Sequence, residues 1–210
     1  KKRSGNPQRV RPRKISPRPH PVMDEIVEQA MAKWPNVPAV YGWLSLDHRG
    51  GWRIKGDAVT NPVIAAFIGR NYSHDAEGRW FFQNGPQRVY TALDYTPYVY
   101  RILWSAAAAA ALRIEAHTGV AVSRIDAAWI DEQGVLLLAT DLGIGMLDDR
   151  NLEQLLPYFR DASGHALDED AVAERLELLQ SGRDAALQLT YAGGQAAIKP
   201  IADRKSTRLN

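Results

Sequence analysis

The sequence predicts an α+β fold in which antiparallel hairpins pack against a few helices. Short runs rich in aromatic and aliphatic residues recur between turn signals, which is typical of antiparallel strands. Three tetrads have Asp at the first position and Gly at the fourth, the pattern of a tight β-turn, and each precedes a strand-like run. Segments with a helical spacing of apolar residues separate the hairpins. The tetrads are Asp47–Gly50, Asp75–Gly78 and Asp131–Gly134.

The first half is predicted to begin with an amphipathic helix over residues 23–34, which Pro35 ends. Asn61 followed by Pro62 marks a second helix start, because asparagine caps the free amides of a first turn and proline fits the first helical position. An Asn-Gly pair at residues 84–85, between two strand-like runs, is a strong hairpin signal. The strands predicted in this half are 40–46, 52–55, 79–83, 87–93 and 97–104.

The second half is predicted to place two helices between its hairpins. Residues 148–159 carry leucines on one helical face, and Pro157 breaks or kinks the last turn. Residues 167–180 form a second helix, which Asp168 caps and Gly182 closes. The strands predicted in this half are 112–118, 123–130, 135–140, 186–191 and 195–201.

The order of elements in the second half repeats that of the first, which favours an internal repeat. At an offset of 84 residues, four positions align with four others: Leu46, Asp47, Gly50 and Asp57 with Ile130, Asp131, Gly134 and Asp141. Chance is the alternative, because turn residues are common and a repeat this long leaves only a weak trace.

The predicted organisation has two halves between two unusual ends. The α+β halves are residues 23–104 and 112–202, and a polyalanine linker, residues 105–111, joins them. Residues 1–22 hold eight Lys or Arg, no acid and five prolines, which is typical of a disordered basic arm. Such an arm can bind nucleic acid or an anionic membrane surface. The alternative we favour is that it is translated upstream sequence. Residues 203–210 match a translated sequencing adapter and are excluded from fold reasoning.

The charge of the body differs from that of the whole chain. Of the 26 Lys and Arg residues, eight lie in residues 1–22 and three in residues 203–210, which leaves 15 in the body. All but one of the 24 Asp and Glu residues lie in the body, so its net charge is −8. An acidic body argues against binding of nucleic acid by that part of the chain. No apolar run reaches the roughly 20 residues of a membrane span, and the absence of cysteine is compatible with the cytoplasmic location that we predict.

A polar and aromatic hairpin supplies the candidate site. Arg88 and Tyr90 share one face of their strand because side chains alternate, and an arginine there can clamp a carboxylate or a phosphate. The alternative is that the hairpin aromatics form core and that Arg88 pairs with a surface acid. The predicted partner is a small anionic ligand or a protein. The candidate residues are Trp80, Gln83, Asn84, Arg88, Tyr90, His117 and Thr118.

Three hypotheses for function follow. The leading one is a non-enzymatic ligand-binding or regulatory module. The second is a hydrolase that uses Asp141 and His117 as acid–base groups, and the third is a structural protein that assembles through the aromatic strand 98–104. No cofactor and no metal are predicted. The histidines lack zinc-binding spacing, and residues 141–145 lack the third glycine of a dinucleotide-binding loop.

Three stretches of the sequence resemble an uncharacterised proteobacterial family of cytoplasmic proteins. They are YGWLSLD at 41–47, FIGRNY at 67–72 and GRWFFQNGPQRVY at 78–90. The resemblance continues through residues 116–119 and 138–143, whereas residues 160–202 depart from that family's pattern. The order of elements also resembles a second proteobacterial family of unknown function, which has two similar α+β halves. The resemblance therefore implies the fold but no activity.

Overall fold

The computed structural model describes residues 23–103 and 111–201. The predicted basic arm, the adapter-like segment, Trp104 and all of the polyalanine linker except Ala111 lie outside the described residues.

The described chain has three α-helices, and two begin at side chains that cap them. They are α1 (Glu25–Lys33), α2 (Pro62–Arg70) and α3 (Glu169–Gln180). Asn61 accepts hydrogen bonds from two amides of the first turn of α2, at 2.9 and 3.4 Å. Asp168 accepts one from the first turn of α3 at 2.8 Å. These contacts satisfy amides that have no partner within the helix, and both caps were predicted.

Residues 148–159 were predicted as one α-helix, and this was wrong. They form two 3₁₀ helices, Asp149–Asn151 and Glu153–Tyr158. Pro157 lies in the second and has no amide hydrogen to donate, which disfavours a continuous α-helix. Leu155 is nevertheless fully buried, so the segment keeps an apolar side against the core.

Fourteen strands make up the sheets of the described residues. They are β1 (Val40–Leu46), β2 (Trp52–Ile54), β3 (Asp57–Ala58), β4 (Tyr72–His74), β5 (Trp80–Asn84), β6 (Gln87–Leu93), β7 (Tyr98–Leu103), β8 (Arg113–Ala116), β9 (Ile125–Ile130), β10 (Leu136–Thr140), β11 (Ile144–Leu147), β12 (Phe159–Arg160), β13 (Leu187–Tyr191) and β14 (Gly194–Pro200). The sequence did not predict β3, β4, β11 and β12, which have two to four residues each and carry little pattern.

The strands form a six-stranded sheet, in the order β3-β2-β1-β6-β5-β4, and an eight-stranded sheet, in the order β12-β13-β14-β9-β10-β11-β7-β8. The hairpins are antiparallel, which confirms the predicted α+β class. Three pairs are parallel, namely β1 with β6, β14 with β9, and β11 with β7. They join hairpins that are distant in the sequence, so local turn signals could not reveal them.

Six strands of the larger sheet reproduce the whole smaller sheet. The order β11-β10-β9-β14-β13-β12 matches β3-β2-β1-β6-β5-β4 position by position, with a parallel pair at each centre. The register agrees too. Leu44 pairs with Thr91, and Ala128, 84 residues after Leu44, pairs with Ile198. The shared topology supports the internal repeat, with β7 and β8 as an addition to the second copy.

One part of the predicted alignment needs correction. Asp57 and Asp141 do not correspond, because Asp57 lies in β3 whereas Asp141 lies in the turn before β11. The register instead matches Asp57 with Gly145: Asp57 pairs with Ile54, and Gly145 pairs with Leu138. The connection before β11 is therefore four residues longer than its counterpart in the first copy.

The structure adds a fourth tetrad, Asp161–Gly164, which the sequence analysis missed. In all four, a carboxylate oxygen of the Asp accepts hydrogen bonds from the amides two and four residues later, at 2.8–3.1 Å. The tetrads at Asp47 and Asp131 close equivalent hairpins, and those at Asp75 and Asp161 follow the equivalent strands β4 and β12. Their pairing gives the repeat a second, independent line of support.

The two sheets share one hydrophobic core. A single cluster of buried side chains includes Leu44 and Trp52 from the first sheet and Leu138 and Ile198 from the second. β7 was placed in the first half by the sequence analysis but pairs within the eight-stranded sheet, so the chain changes sheet between β6 and β7, before residue 104. In the described part of the chain, no helix is long and apolar enough to cross a membrane.

Candidate functional site

The structure divides the predicted site residues between two faces of the six-stranded sheet. Gln83 pairs with Arg88 across β5 and β6, and Phe81 pairs with Tyr90. Directly paired residues share a face and neighbours along a strand alternate, so Gln83, Arg88 and Tyr90 lie on one side. We call the side that carries Arg88 the outer face. Trp80 and Asn84 lie on the opposite, inner side, and the predicted convergence of all five is wrong.

The other two predicted residues, His117 and Thr118, follow β8 and lie against the inner side. The His117 ring packs against the rings of Trp52 and Tyr72, which belong to the first sheet. The Cα of Thr118 approaches α2 so closely that a Cβ added to Gly69 would be 3.2 Å away. These two residues therefore join the halves of the molecule and do not contribute to the outer face.

Aromatic rings form the centre of the outer face. The rings of Tyr41 and Tyr90 stack with their centroids 4.6 Å apart and an angle of 4° between their planes. Tyr41 is 61% exposed, so the other side of its ring is open to solvent. Stacking on an exposed tyrosine is a common way of binding a planar group.

The second Asp tetrad holds Tyr90 in place. The hydroxyl of Tyr90 donates to Oδ2 of Asp75 at 2.9 Å, and Nε of Arg79 donates to the same oxygen at 2.7 Å. Desolvation alone would raise the pKa of Asp75, but the hydrogen bonds from the backbone and side chain of Arg79 and from Tyr90 lower it well below its usual value. The carboxylate of Asp75 therefore stays ionised and orients the ring of Tyr90 in the stack.

Arg88 supplies a positive charge beside these rings, and its side chain forms a hydrogen bond with that of Tyr90. Its guanidinium lies 4.8 Å from the centroid of the Phe81 ring, and the residue is exposed. Within residues 23–103 and 111–201, Arg88 forms no ion pair with a carboxylate. Arg79, by contrast, is neutralised by Asp75 and Glu77. The alternative interpretation is correct in part: Phe82 belongs to the core and Trp80 packs against it, but Arg88 pairs with no surface acid among these residues.

The amides at the end of this hairpin are less available. Gln83 is 1% exposed and its Nε2 donates to the carbonyl of Gly85 at 2.9 Å, so it braces the turn. Asn84 is exposed at the turn itself. A Cβ added at Gly85 would lie 3.8 Å from Cβ of Ala30, so α1 lies against this end of the hairpin.

A cluster of five rings lies on the inner side, where the two sheets meet. Adjacent centroids in this ring cluster are 4.8–6.1 Å apart. Its members are Trp52, Tyr72, Trp80, Tyr98 and His117. The mutual packing of the rings makes this a structural junction between the halves.

Two polar groups of the ring cluster have no hydrogen-bond partner among the described residues. His117 accepts a hydrogen bond at Nδ1 from the amide of Val99 at 3.3 Å, so Nε2 carries the proton, and this buried donor is unpaired. The buried hydroxyl of Tyr72 is the second. Burial and, to a smaller extent, the charge of Arg101 lower the pKa of His117 to about 3, against an opposing effect of Asp47. His117 is therefore neutral at physiological pH and is poorly suited to act as a base.

The chain can be placed by comparison with known proteins. A family model described as "Protein of unknown function (DUF2946)" matches residues 23–202. The chain belongs to this family. No curated protein matches it. The family has no established activity, which agrees with the resemblance seen in the sequence.

Two solved structures resemble this family member. The crystal structure of a DUF1285 family protein from Silicibacter pomeroyi DSS-3 has a TM-score of 0.50 and 12% sequence identity, covering 79% of this chain and 85% of that chain. A DUF1285 family protein from Shewanella baltica OS155 has a TM-score of 0.38 and 15% identity, covering 53% and 88%. At this identity, the first similarity shows a common fold and nothing about the site.

The described residues do not show the geometry that the hydrolase hypothesis or the assembly hypothesis requires. The carboxylate of Asp141 accepts hydrogen bonds from Ser123 and Arg124 and holds a turn, while Nδ1 of His117 is occupied by a backbone amide. They do not form an acid–base pair. Tyr98 and Tyr100 are 4% and 0% exposed, and β7 pairs with β11 on one edge and β8 on the other, so it offers no free edge for assembly.

Sequence reasoning missed three residues of the outer face, namely Tyr41, Trp43 and Lys55. Tyr41 and Trp43 were assigned to a strand on their pattern alone, without a role. The signal that could have found them is Gly42, since a glycine between two aromatic residues in a strand often marks a bulge. The stacking of Tyr41 on Tyr90 depends on the parallel pairing of β1 with β6, which no local pattern encodes.

Proposed function

We propose that this protein is a cytoplasmic, non-enzymatic binding module that takes a small anionic ligand with a planar group on the outer face of the six-stranded sheet. The observation that carries the proposal is the exposed guanidinium of Arg88, which has no carboxylate partner among the described residues and lies beside the open Tyr41–Tyr90 stack. The absence of cysteine is compatible with a cytoplasmic location.

Arg88 and the ring of Tyr41 are suited to contact different parts of one ligand. Arginine presents a planar fork of donors that matches a carboxylate or a phosphate, and such charge-assisted hydrogen bonds are stronger than neutral ones. The exposed side of Tyr41 suits a flat ring, and stacking of a base on an aromatic side chain contributes about 1–3 kcal/mol. A planar ring that bears a phosphate satisfies both.

Replacement of Arg88 by alanine is expected to weaken binding of adenosine 5′-monophosphate at least tenfold. Loss of one charge-assisted hydrogen bond to phosphate corresponds to about 1.5–3 kcal/mol. Because Arg88 is exposed, the melting temperature should change by no more than about 2 °C. Isothermal titration calorimetry with the nucleotide, with adenosine and with inorganic phosphate measures the whole ligand and each part.

Two variants sharpen the test. Arg88→Lys keeps the charge but loses the fork, so it should bind with intermediate affinity. Arg113→Ala removes an exposed arginine of β8, in the other sheet, and should bind like the wild type. Equal affinity of Arg88→Ala and Arg113→Ala would show that Arg88 is not the anion-binding group. Wild-type affinity of Arg88→Lys would contradict the use of the planar fork.

A further inference from the structure

The outer face holds a second pair of an aromatic ring and a positive charge. Trp43 is 51% exposed, and Nζ of Lys55 lies 3.9 Å from the centroid of its ring. Leu44, the next residue, is buried in the core, so Trp43 points to the outer side of the sheet. The two units on this face are therefore Tyr41 with Tyr90 and Arg88, and Trp43 with Lys55.

A bulge in β1 places both rings on the outer face. Val40 pairs with Val89 and Leu44 with Thr91, so three residues of β1 lie opposite the single residue Tyr90. All three are exposed, and the middle one is Gly42 at a φ of 72°. A Cβ there would meet nothing within 4 Å, so the backbone conformation and not crowding explains the glycine. Bulges of this kind re-aim side chains and are frequent beside binding sites.

The backbone also directs Lys55. Lys55 has a φ of 53°, in the left-handed region that residues other than glycine rarely adopt, and its amide donates to the carbonyl of Trp43 at 2.7 Å. The tight turn between β2 and β3 thereby carries the lysine back over the tryptophan. Positive φ at both central residues, 53° at Lys55 and 91° at Gly56, is typical of a two-residue type I′ hairpin turn, so the turn accounts for the backbone of Lys55.

Two cations beside the rings of the outer face, Lys55 and Arg88, are not neutralised within the described part of the chain, whereas Arg79, which lies 5.0 Å from the centroid of the Tyr90 ring, is. Among residues 23–103 and 111–201, Lys55 and Arg88 form no ion pair with a carboxylate. The two cations therefore remain available to an anion, although the body as a whole is acidic. Charge complementarity on this face points to a ligand with negative charge near both rings.

We infer that the outer face binds a dinucleotide, a ligand with two planar bases joined by phosphate. This rests on the proposed function and names its ligand class. One base stacks on the open side of Tyr41 and the other on Trp43, which follows two positions later on the same face of the bulged strand. The phosphates lie towards Arg88 and Lys55.

The test compares three probes: adenosine 5′-monophosphate, the 5′-phosphorylated diadenylate pApA, and a twelve-residue oligoadenylate. The wild-type protein should bind pApA at least tenfold more tightly than the mononucleotide. Affinity for the oligonucleotide is expressed per dinucleotide step, of which it has eleven, and on that basis it should not exceed the affinity for pApA. Trp43→Leu should abolish the gain of pApA over the mononucleotide and leave mononucleotide binding unchanged. Lys55→Asn, which keeps a residue tolerant of positive φ, should reduce the gain several-fold.

Trp34→Leu is a matched control for Trp43→Leu. Trp34 is also 51% exposed and also lies under a lysine, with Nζ of Lys33 4.6 Å from its ring centroid, but it follows α1. It should bind all three probes like the wild type. Equal affinity for pApA and the mononucleotide would overturn the inference and leave the proposed function standing. Affinity per dinucleotide step that rises with oligonucleotide length would overturn it in favour of a strand-binding surface, and failure of the mononucleotide to bind would overturn the proposed function as well.

Discussion

Replacement of Gly50 by alanine is expected to destabilise the protein by about 2–5 kcal/mol, because the turn at Gly50 touches the other half of the molecule. Its φ is 75°, which costs a residue with a Cβ about 1–2 kcal/mol. The new Cβ would lie 2.7 Å from Cβ of His117 and 3.3 Å from Cβ of Val99. Overpacking against buried groups that cannot move freely costs a further ~1–3 kcal/mol. Urea denaturation measures the sum.

Alanine at two other glycines separates the cost of a positive φ from the cost of crowding around the added Cβ. Gly119 has a φ of 82° and nothing within 4 Å of an added Cβ, so Gly119→Ala should cost only about 1 kcal/mol. Gly134 occupies the equivalent position of the repeat, and its added Cβ would meet the mobile end of the Gln180 side chain, which can move away. A similar cost for Gly50→Ala and Gly119→Ala would contradict the close contact between the halves at Gly50.

Acid is expected to weaken the fold through His117. The unfolded histidine titrates near pH 6.5 and the folded one at about 3, so between these values the unfolded state binds more protons. Above pH 6.5 His117 is neutral in both states and does not lower the free energy of unfolding. Below pH 6.5 the free energy of unfolding falls by about 1.4 kcal/mol per pH unit. Arg101 and Asp47 are the charged groups whose effects on His117 are resolved, and they act in opposite directions.

The His117→Asn variant tests this assignment. Its Oδ1 can accept the hydrogen bond from the Val99 amide, as Nδ1 does, but asparagine does not titrate. We expect the variant to be less stable at pH 7 because it loses ring packing, and to show a nearly flat free energy of unfolding between pH 6.5 and 5, where carboxylates remain ionised. An unchanged pH dependence in the variant would exclude His117 as the source.

The sequence was informative wherever structure is local. The caps at Asn61 and Asp168, the hairpins at Asp47 and Asp131 and the fold class follow from turn chemistry and strand patterning. Local patterns did not reveal the features that depend on contacts between distant segments. These are the parallel strand pairs, the strands of two to four residues and the 3₁₀ helix that contains Pro157. The repeat was visible at an offset of 84, but its full extent required the strand order.

The candidate site was predicted only in part for the same reason. Alternation along β6 placed Arg88 and Tyr90 on one face correctly, but the face of Trp80 depends on the cross-strand register of β5 with β6. His117 was expected near the ligand and lies instead at the junction of the halves, because β8 joins the other sheet. Tyr41 reaches Tyr90 only through the parallel pair of β1 and β6.

Mapping of a bound nucleotide onto the backbone tests the central claim most directly. Titration of the ¹⁵N-labelled protein with adenosine 5′-monophosphate should shift amide resonances of residues 41–42 and 88–91, around Arg88 and the Tyr41–Tyr90 stack. Titration with pApA should also shift residues 43 and 54–56, around Trp43 and Lys55. Residues at the sheet junction, such as Val99 and His117, should not move. Shifts centred on that junction, or on the β13–β14 hairpin, with an unchanged outer face would contradict the assignment of the binding site.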